Sequence, residues 1–107
     1  LSALGKKDIG HLYPVDDPKY DGADSVKLLK GVLAIMREEN RAVANCSVAI
    51  IAEKPMLAPY IDRMRTRMSK ILDVPAENIG ITATTNEKVG DIGAGNAVAA
   101  YATVLLV

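Results

Sequence analysis

Phenylalanine and tryptophan are absent from these 107 residues, and cysteine and histidine occur once each. Four tyrosines are the only aromatic residues, so the basic side chains lack the interleaved rings on which bases of a single strand would stack. An excess of charge of either sign is missing too: Lys and Arg number 13, as do Asp and Glu. Nothing in that balance would draw in nucleic acid or an anionic bilayer. The one thiol, Cys46, has no partner for an internal disulfide, which suits a reducing compartment. The one histidine, His11, falls short of the three or four ligands that a zinc site needs, leaving it the reading of a solvated or hydrogen-bonded loop residue. No apolar run reaches bilayer length, the longest lying near 97–107, and no charged-then-apolar leader opens the chain. The expectation is one soluble, intracellular domain with neither a nucleic-acid nor a membrane partner.

What is present is organised around Ala83-Thr84-Thr85-Asn86-Glu87-Lys88-Val89-Gly90. A β-branched run, Asn78 to Thr82, leads into this stretch, and a small-residue, apolar run, Ala97 to Val107, follows it, so it joins two expected strands. Gly90, Gly93 and Gly95 allow a tight connection that comes close to a ligand. Two adjacent hydroxyls offer donors to a phosphate, and a carboxylate offers a hard oxygen to a divalent cation shared with it. The competing reading is a plain hairpin with a polar tip.

Leu1 to Gly5 reads as the end of a helix stopped by glycine, so the chain is expected to be the C-terminal part of a longer protein. Residues 7–14 and 15–22 are broken by Gly, Pro and Asp and read as loop or single turns. Asp8, Asp16, Asp17 and Asp21 there suit sugar hydroxyls, a cation, or simple Asx-turns. Asp24 or Ser25 caps a helix to about Asn40, with Val26, Leu29, Val32, Leu33 and Met36 as its core stripe; Gly31 within it is read as room for a crossing strand. Residues 44–53 form a central strand covered on both faces, with Cys46 a small buried hydrophobe and no base beside it to make it a nucleophile. Pro55 and Pro59 stiffen the next loop, fit to present backbone groups to a planar base. A helix then begins at about Pro59 or Tyr60 and buries Ile61, Met64, Met68, Ile71 and Leu72, with Arg63, Arg67 and Lys70 solvated. The helix between two strands predicts a βαβ crossover, with the last two strands antiparallel neighbours in a three-strand sheet.

Four segments in order, Asp8-Ile9-Gly10-x-Leu12-Tyr13-Pro14, Gly22-Ala23-Asp24-Ser25, Ile50-Ile51-Ala52-Glu53-Lys54-Pro55 with Leu57-Ala58-Pro59-Tyr60-Ile61, and Ala83 to Gly90, resemble the 2-C-methyl-D-erythritol 2,4-cyclodiphosphate synthase family over essentially the whole chain. The resemblance implies an α+β fold, a mixed β-sheet with helices packed on one face, forming the subunit of a homotrimer whose active sites lie between subunits. It implies a lyase of the non-mevalonate isoprenoid pathway, cyclising 4-diphosphocytidyl-2-C-methyl-D-erythritol 2-phosphate with release of CMP. By resemblance Asp8, Ile9 and Gly10 meet the ribose, and Tyr13, Pro14, Val15, Asp16 and Asp17 lie along the methylerythritol end. Ala52, Glu53, Lys54, Pro55, Met56, Leu57 and Ala58 receive the cytosine through backbone contacts. Thr84, Thr85 and Asn86 meet the diphosphate, with Thr85 and Glu87 as the catalytic pair and Glu87 ligating magnesium or manganese. A cytoplasmic, bacterial location is implied, with a plastid one open.

Departures from the family pattern are several. The family's zinc ligands, an Asp-x-His pair and a further histidine, precede the first residue here, so no zinc ligand is expected in this chain. Val15 stands where a second Asp is common, and Met56 where Lys often occurs. Asp91-Ile92-Gly93-Ala94-Gly95-Asn96 replaces Phe-Thr-Gly-Arg-Gly-Glu, which bears on the cavity and anion site that the family builds on its trimer axis. The competing functions are a non-catalytic trimeric remnant that binds cytidine nucleotides and a small α+β interaction module without a nucleotide.

Overall fold

A computed structural model describes residues 1–107. They form two compact units, Leu1–Ala42 with Leu106–Val107, and Val43–Leu105.

In the first unit, a 3-10 turn at Ser2–Leu4 is closed by Gly5 in the left-handed region at φ 66°, the glycine stop that the sequence advertised. Asp8 caps the single turn α1, Ile9–Leu12, and a further 3-10 turn spans Pro18–Tyr20. Helix α2, Ser25–Glu38, starts from the Asp24 carboxylate, which accepts the Val26 N–H. Leu33 and Met36 are buried while Val26, Leu29 and Val32 are half-covered, so the expected stripe is the inward one. Gly31 makes room for something other than a strand. A Cβ there would stand 2.0 Å from the Tyr13 hydroxyl, and that hydroxyl donates to the Leu28 carbonyl at 3.0 Å. The Tyr13 ring also meets Tyr20 edge-on, with centroids 5.0 Å apart.

The second unit is a βαβ unit with an added strand. Strand β1, Val43–Ile51, runs parallel to β2, Ile79–Thr84, in a register from Cys46↔Ile79 to Ile51↔Thr84. Helix α3, Ile61–Leu72, makes the crossover and lies against β2. Arg65 fastens that crossover: its Nε donates to the Ile79 carbonyl at 3.0 Å and its Nη2 to the Ala76 carbonyl at 2.9 Å. A short helix α4, Gly90–Gly93, precedes β3, Ala99–Leu106.

Strand order is β2-β1-β3. The expectation that the last two strands are neighbours is therefore corrected: β1 lies between them, and the Thr84 stretch is no hairpin tip. Ala42 and Val107 exchange both backbone hydrogen bonds at 2.9 Å, the narrow pair of an antiparallel ladder, which sets β3 antiparallel to β1 and makes the sheet mixed. An apolar β3 pairs as well with the central strand as with β2, and α4 supplies the extra reach.

The central strand is covered on one face only, a second correction. Cys46 and its parallel partner Ile79 are buried, and Val48 with Ile81 continues that face. Asn45, Ser47 and Ala49 of β1 and Gly80 and Thr82 of β2 are exposed on the other face, and residues 100–105 of β3 are exposed on both. Small residues on that face let both faces of β1 read as apolar in sequence. Burial pushes the Cys46 thiol pKa up, in keeping with a core residue rather than a nucleophile. No helix is long and apolar enough to cross a membrane.

Candidate functional site

Parallel pairing puts the carboxyl ends of β1 and β2 at one edge, where open α/β units hold their ligands. The Ala52 N–H donates to the Thr84 carbonyl at 2.9 Å, extending the ladder one step and setting the two following loops side by side. Between them lies a cleft of about 150 Å³ lined by Ala52, Glu53, Pro55 to Ala58, and Ala83 to Thr85. The stiff loop and the hydroxyl stretch, picked out separately in the sequence, are thus two walls of one hollow. Ala52 is buried; Pro55, Met56 and Ala58 are exposed and Leu57 half-covered. The Lys54–Pro55 bond is cis. The Lys54 stem runs past Gly95, 3.9 Å from where a Cβ would sit.

The polar wall is a turn under strain. Glu87 and Lys88 both have positive φ, 51° and 61°, as the central residues of a type I′ turn do. Neither is a residue that favours this region, where a non-glycine pays on the order of 1 kcal/mol or more. The turn closes through Val89 N–H to the Asn86 carbonyl at 3.0 Å and Asn86 Nδ2 to the Val89 carbonyl at 2.9 Å. Gly93 lies against it so closely that a Cβ would come within 2.1 Å of the Lys88 carbonyl carbon. Glu53 Oε1 accepts the Lys88 N–H across the cleft at 2.6 Å. The hydroxyls are loosely held: Thr84 Oγ1 donates to the Thr85 carbonyl at 3.4 Å, and Thr85 Oγ1 accepts the Glu87 N–H at 3.4 Å. Glu87 is exposed.

The remaining candidates belong to the first unit. Asp8 Oδ1 accepts the His11 N–H at 3.2 Å and faces His11 Nδ1 at 2.9 Å. The side-chain hydrogen bond to His11 is the main cause holding the Asp8 carboxyl below its ordinary range. A Cβ on Gly10 would sit 3.3 Å from that carboxylate, so the glycine keeps Asp8 accessible. Asp8 and Ile9 border a hollow of about 440 Å³ whose walls are the apolar side of α2, Leu28, Leu29 and Val32, together with Leu1, Ser2 and Ser25. Asp17 accepts the Lys19 N–H at 3.0 Å, an Asx-turn. Val15 is 94% exposed, Asp16 is exposed and Pro14 half-covered.

Sequence reasoning missed Glu53 as the partner of Lys88 and Arg65 as the crossover's fastener. Each joins groups well apart along the chain, 35 residues for Glu53, where no local pattern speaks.

The whole chain, residues 1–107, matches the model of the YgbB family. The chain belongs to that family. A curated relative from Synechococcus elongatus, named 2-C-methyl-D-erythritol 2,4-cyclodiphosphate synthase, is 45% identical over 107 residues, 100% of this chain and 67% of its own length. Among solved structures, the bifunctional IspDF from Campylobacter jejuni superposes with a TM-score of 0.89 at 34% identity, covering 95% of this chain and 28% of that one. The Plasmodium falciparum IspF CDP complex gives 0.82 at 26% identity, covering 97% and 62%. The chain thus spans about two thirds of the length of the curated relative.

Proposed function

We propose that this chain carries the nucleotide-diphosphate half of a cyclodiphosphate synthase site, acting on 4-diphosphocytidyl-2-C-methyl-D-erythritol 2-phosphate. The observation that carries this reading is the single cleft between Ala52–Ala58 and Thr84–Thr85, in a family with a CDP complex on record. Backbone groups of Ala52 to Ala58 take the cytosine; Thr84, Thr85 and Asn86 take the diphosphate. Asp8, Ile9 and Gly10 meet the ribose, and Tyr13 to Asp17 the methylerythritol end, in active sites assembled between the subunits of a homotrimer. In the reaction a 2-phosphate oxygen bonds to the β-phosphorus, and the bond from that phosphorus to the bridging oxygen breaks, releasing CMP with the electron pair. Such a transfer asks the protein for alignment and charge neutralisation rather than for a nucleophile. The Thr84 and Thr85 hydroxyls, loosely bonded among themselves, are available to turn toward phosphate oxygens.

One exposed carboxylate beside two hydroxyls is a donor set that suits magnesium or manganese, which take few carboxylates and share the substrate's phosphates. When bound, the ion would neutralise charge on the diphosphate, with Glu87 as its protein ligand. No group of three His, Cys, Asp or Glu is brought together in this chain, so its residues do not fit the family's zinc, and no step is derived through it. A cytoplasmic location suits the reading. The alternative, a remnant that binds cytidine nucleotides without turnover, shares this cleft and differs in catalysis alone.

Calorimetric titration with CDP and with CMP in magnesium tests the reading. CDP is expected to bind the intact protein, and Glu87→Gln to weaken CDP by about tenfold, or ~1.4 kcal/mol, while CMP changes little. No CDP binding to the intact protein would remove the cleft assignment, and equal losses for both nucleotides would remove the metal role of Glu87.

A further inference from the structure

Glu53 belongs by sequence to the wall that meets the base, yet its side chain serves the opposite wall. Oε1 accepts the Lys88 N–H at 2.6 Å, and Oε2 is buried without any partner. A carboxylate oxygen shut away from water with nothing to accept is an uncommon arrangement that calls for a reason. The donor it has found lies in the strained pair Glu87–Lys88, both at positive φ. Two unfavourable features therefore meet in one hydrogen bond. The Lys88 N–H needs an acceptor, and no other hydrogen bond from it is formed within the loop. Asn86 and Gly93 shape the turn from its own side, whereas Glu53 is the one grip on it from across the cleft.

We propose that Glu53 is a positioning residue that holds the Glu87–Lys88 turn in its left-handed form from the base-facing loop, so that the diphosphate and its cation meet Thr84, Thr85 and Glu87 already arranged. This rests on the reading of the cleft as a nucleotide-diphosphate site and adds to it a side-chain role, where the loop's backbone had been assigned the base. A hydrogen-bond acceptor is what the turn requires; the negative charge is not. Gln offers the same carbonyl oxygen at the same reach, and Ala offers none.

The test compares wild type, Glu53→Gln and Glu53→Ala by calorimetric titration with CDP in magnesium and with CMP, and by amide hydrogen exchange at Lys88. Glu53→Ala is expected to weaken magnesium CDP by about tenfold, CMP by less than about twofold, and to speed Lys88 exchange by about tenfold or more. Glu53→Gln is expected to restore all three to within about twofold of wild type. A parallel loss of CDP and CMP in Glu53→Ala would place Glu53 in base binding and overturn the proposal. Unchanged Lys88 exchange in a folded Glu53→Ala protein would overturn it as well. If Glu53→Ala does not fold, Glu53→Gln decides: a loss of about tenfold in magnesium CDP binding there would overturn the proposal, and wild-type CDP binding with wild-type Lys88 exchange would support it. Failure of wild type to bind CDP at all strikes the underlying cleft reading instead, while Lys88 exchange still reports on the grip.

Discussion

Asp8 shows how one short contact sets a residue's chemistry. Its carboxylate, bonded to the His11 ring and backbone, titrates below the ordinary 3.8. Because the folded value is depressed, the stability from this contact is fully present above pH 3.8 and is lost as pH falls through the lowered folded value. A carbon-13 titration of the Asp8 carboxyl should give a midpoint below 3.8, and His11→Ala should move it back up; a midpoint unmoved by that substitution would exclude His11 as the cause. The sequence placed the lone histidine in a loop or single turn, and it sits in the helical turn α1 hydrogen-bonded to a carboxylate. That its partner is Asp8, the residue singled out beside Gly10, follows from α1 being a single turn that sets residues three apart face to face.

Among elements, α2 carries the most informative position. Replacing a helical glycine by alanine stabilises an exposed helix by about 1 kcal/mol. At Gly31 the new methyl would meet the Tyr13 hydroxyl at 2.0 Å, and the tyrosine must abandon its bond to Leu28, itself worth about 1 kcal/mol. Gly31→Ala alone should therefore yield no gain in chemical denaturation, and on a Tyr13→Ala background it should yield about 1 kcal/mol. Equal effects on both backgrounds would mean that the two residues do not compete. The helix itself was plain from its apolar stripe. The occupant of the glycine notch was not, because Tyr13 lies in a loop whose path carries no periodicity. In the same way the stretch 83–90 could be singled out by its hydroxyls and the glycines that follow, whereas the left-handed turn at Glu87–Lys88 and the grip of Glu53 depended on where β1 ends beside β2.

At the scale of the whole molecule, β3 is left open on both of its faces: residues 100–105 are exposed, Tyr101 by 67% and Leu105 by 55%. Apolar side chains on an open sheet call for cover, and the homotrimer proposed above would provide it. Sedimentation should give about three times the mass of one subunit for the protein, and Tyr101→Glu with Leu105→Glu should shift it to the monomer, each buried charge costing several kcal/mol. An unchanged mass in the double variant would place the interface elsewhere. The absence of net charge fits a protein that assembles with copies of itself rather than on a polyanion.

Local pattern determined the two long helices, the three strands and their order along the chain, because capping, periodicity and turn chemistry act over a few neighbours. It determined the parallel βαβ crossover as well, since a helix between two strands has that one common solution. Strand order was decided only by the folded chain. An apolar β3 could have paired with β2 in a hairpin, and it lies instead on the far side of β1. Long-range pairing alone brought Ala52–Ala58 to Thr84–Thr85, left one face of the sheet open, and set the Glu53 carboxylate against the amide of Lys88.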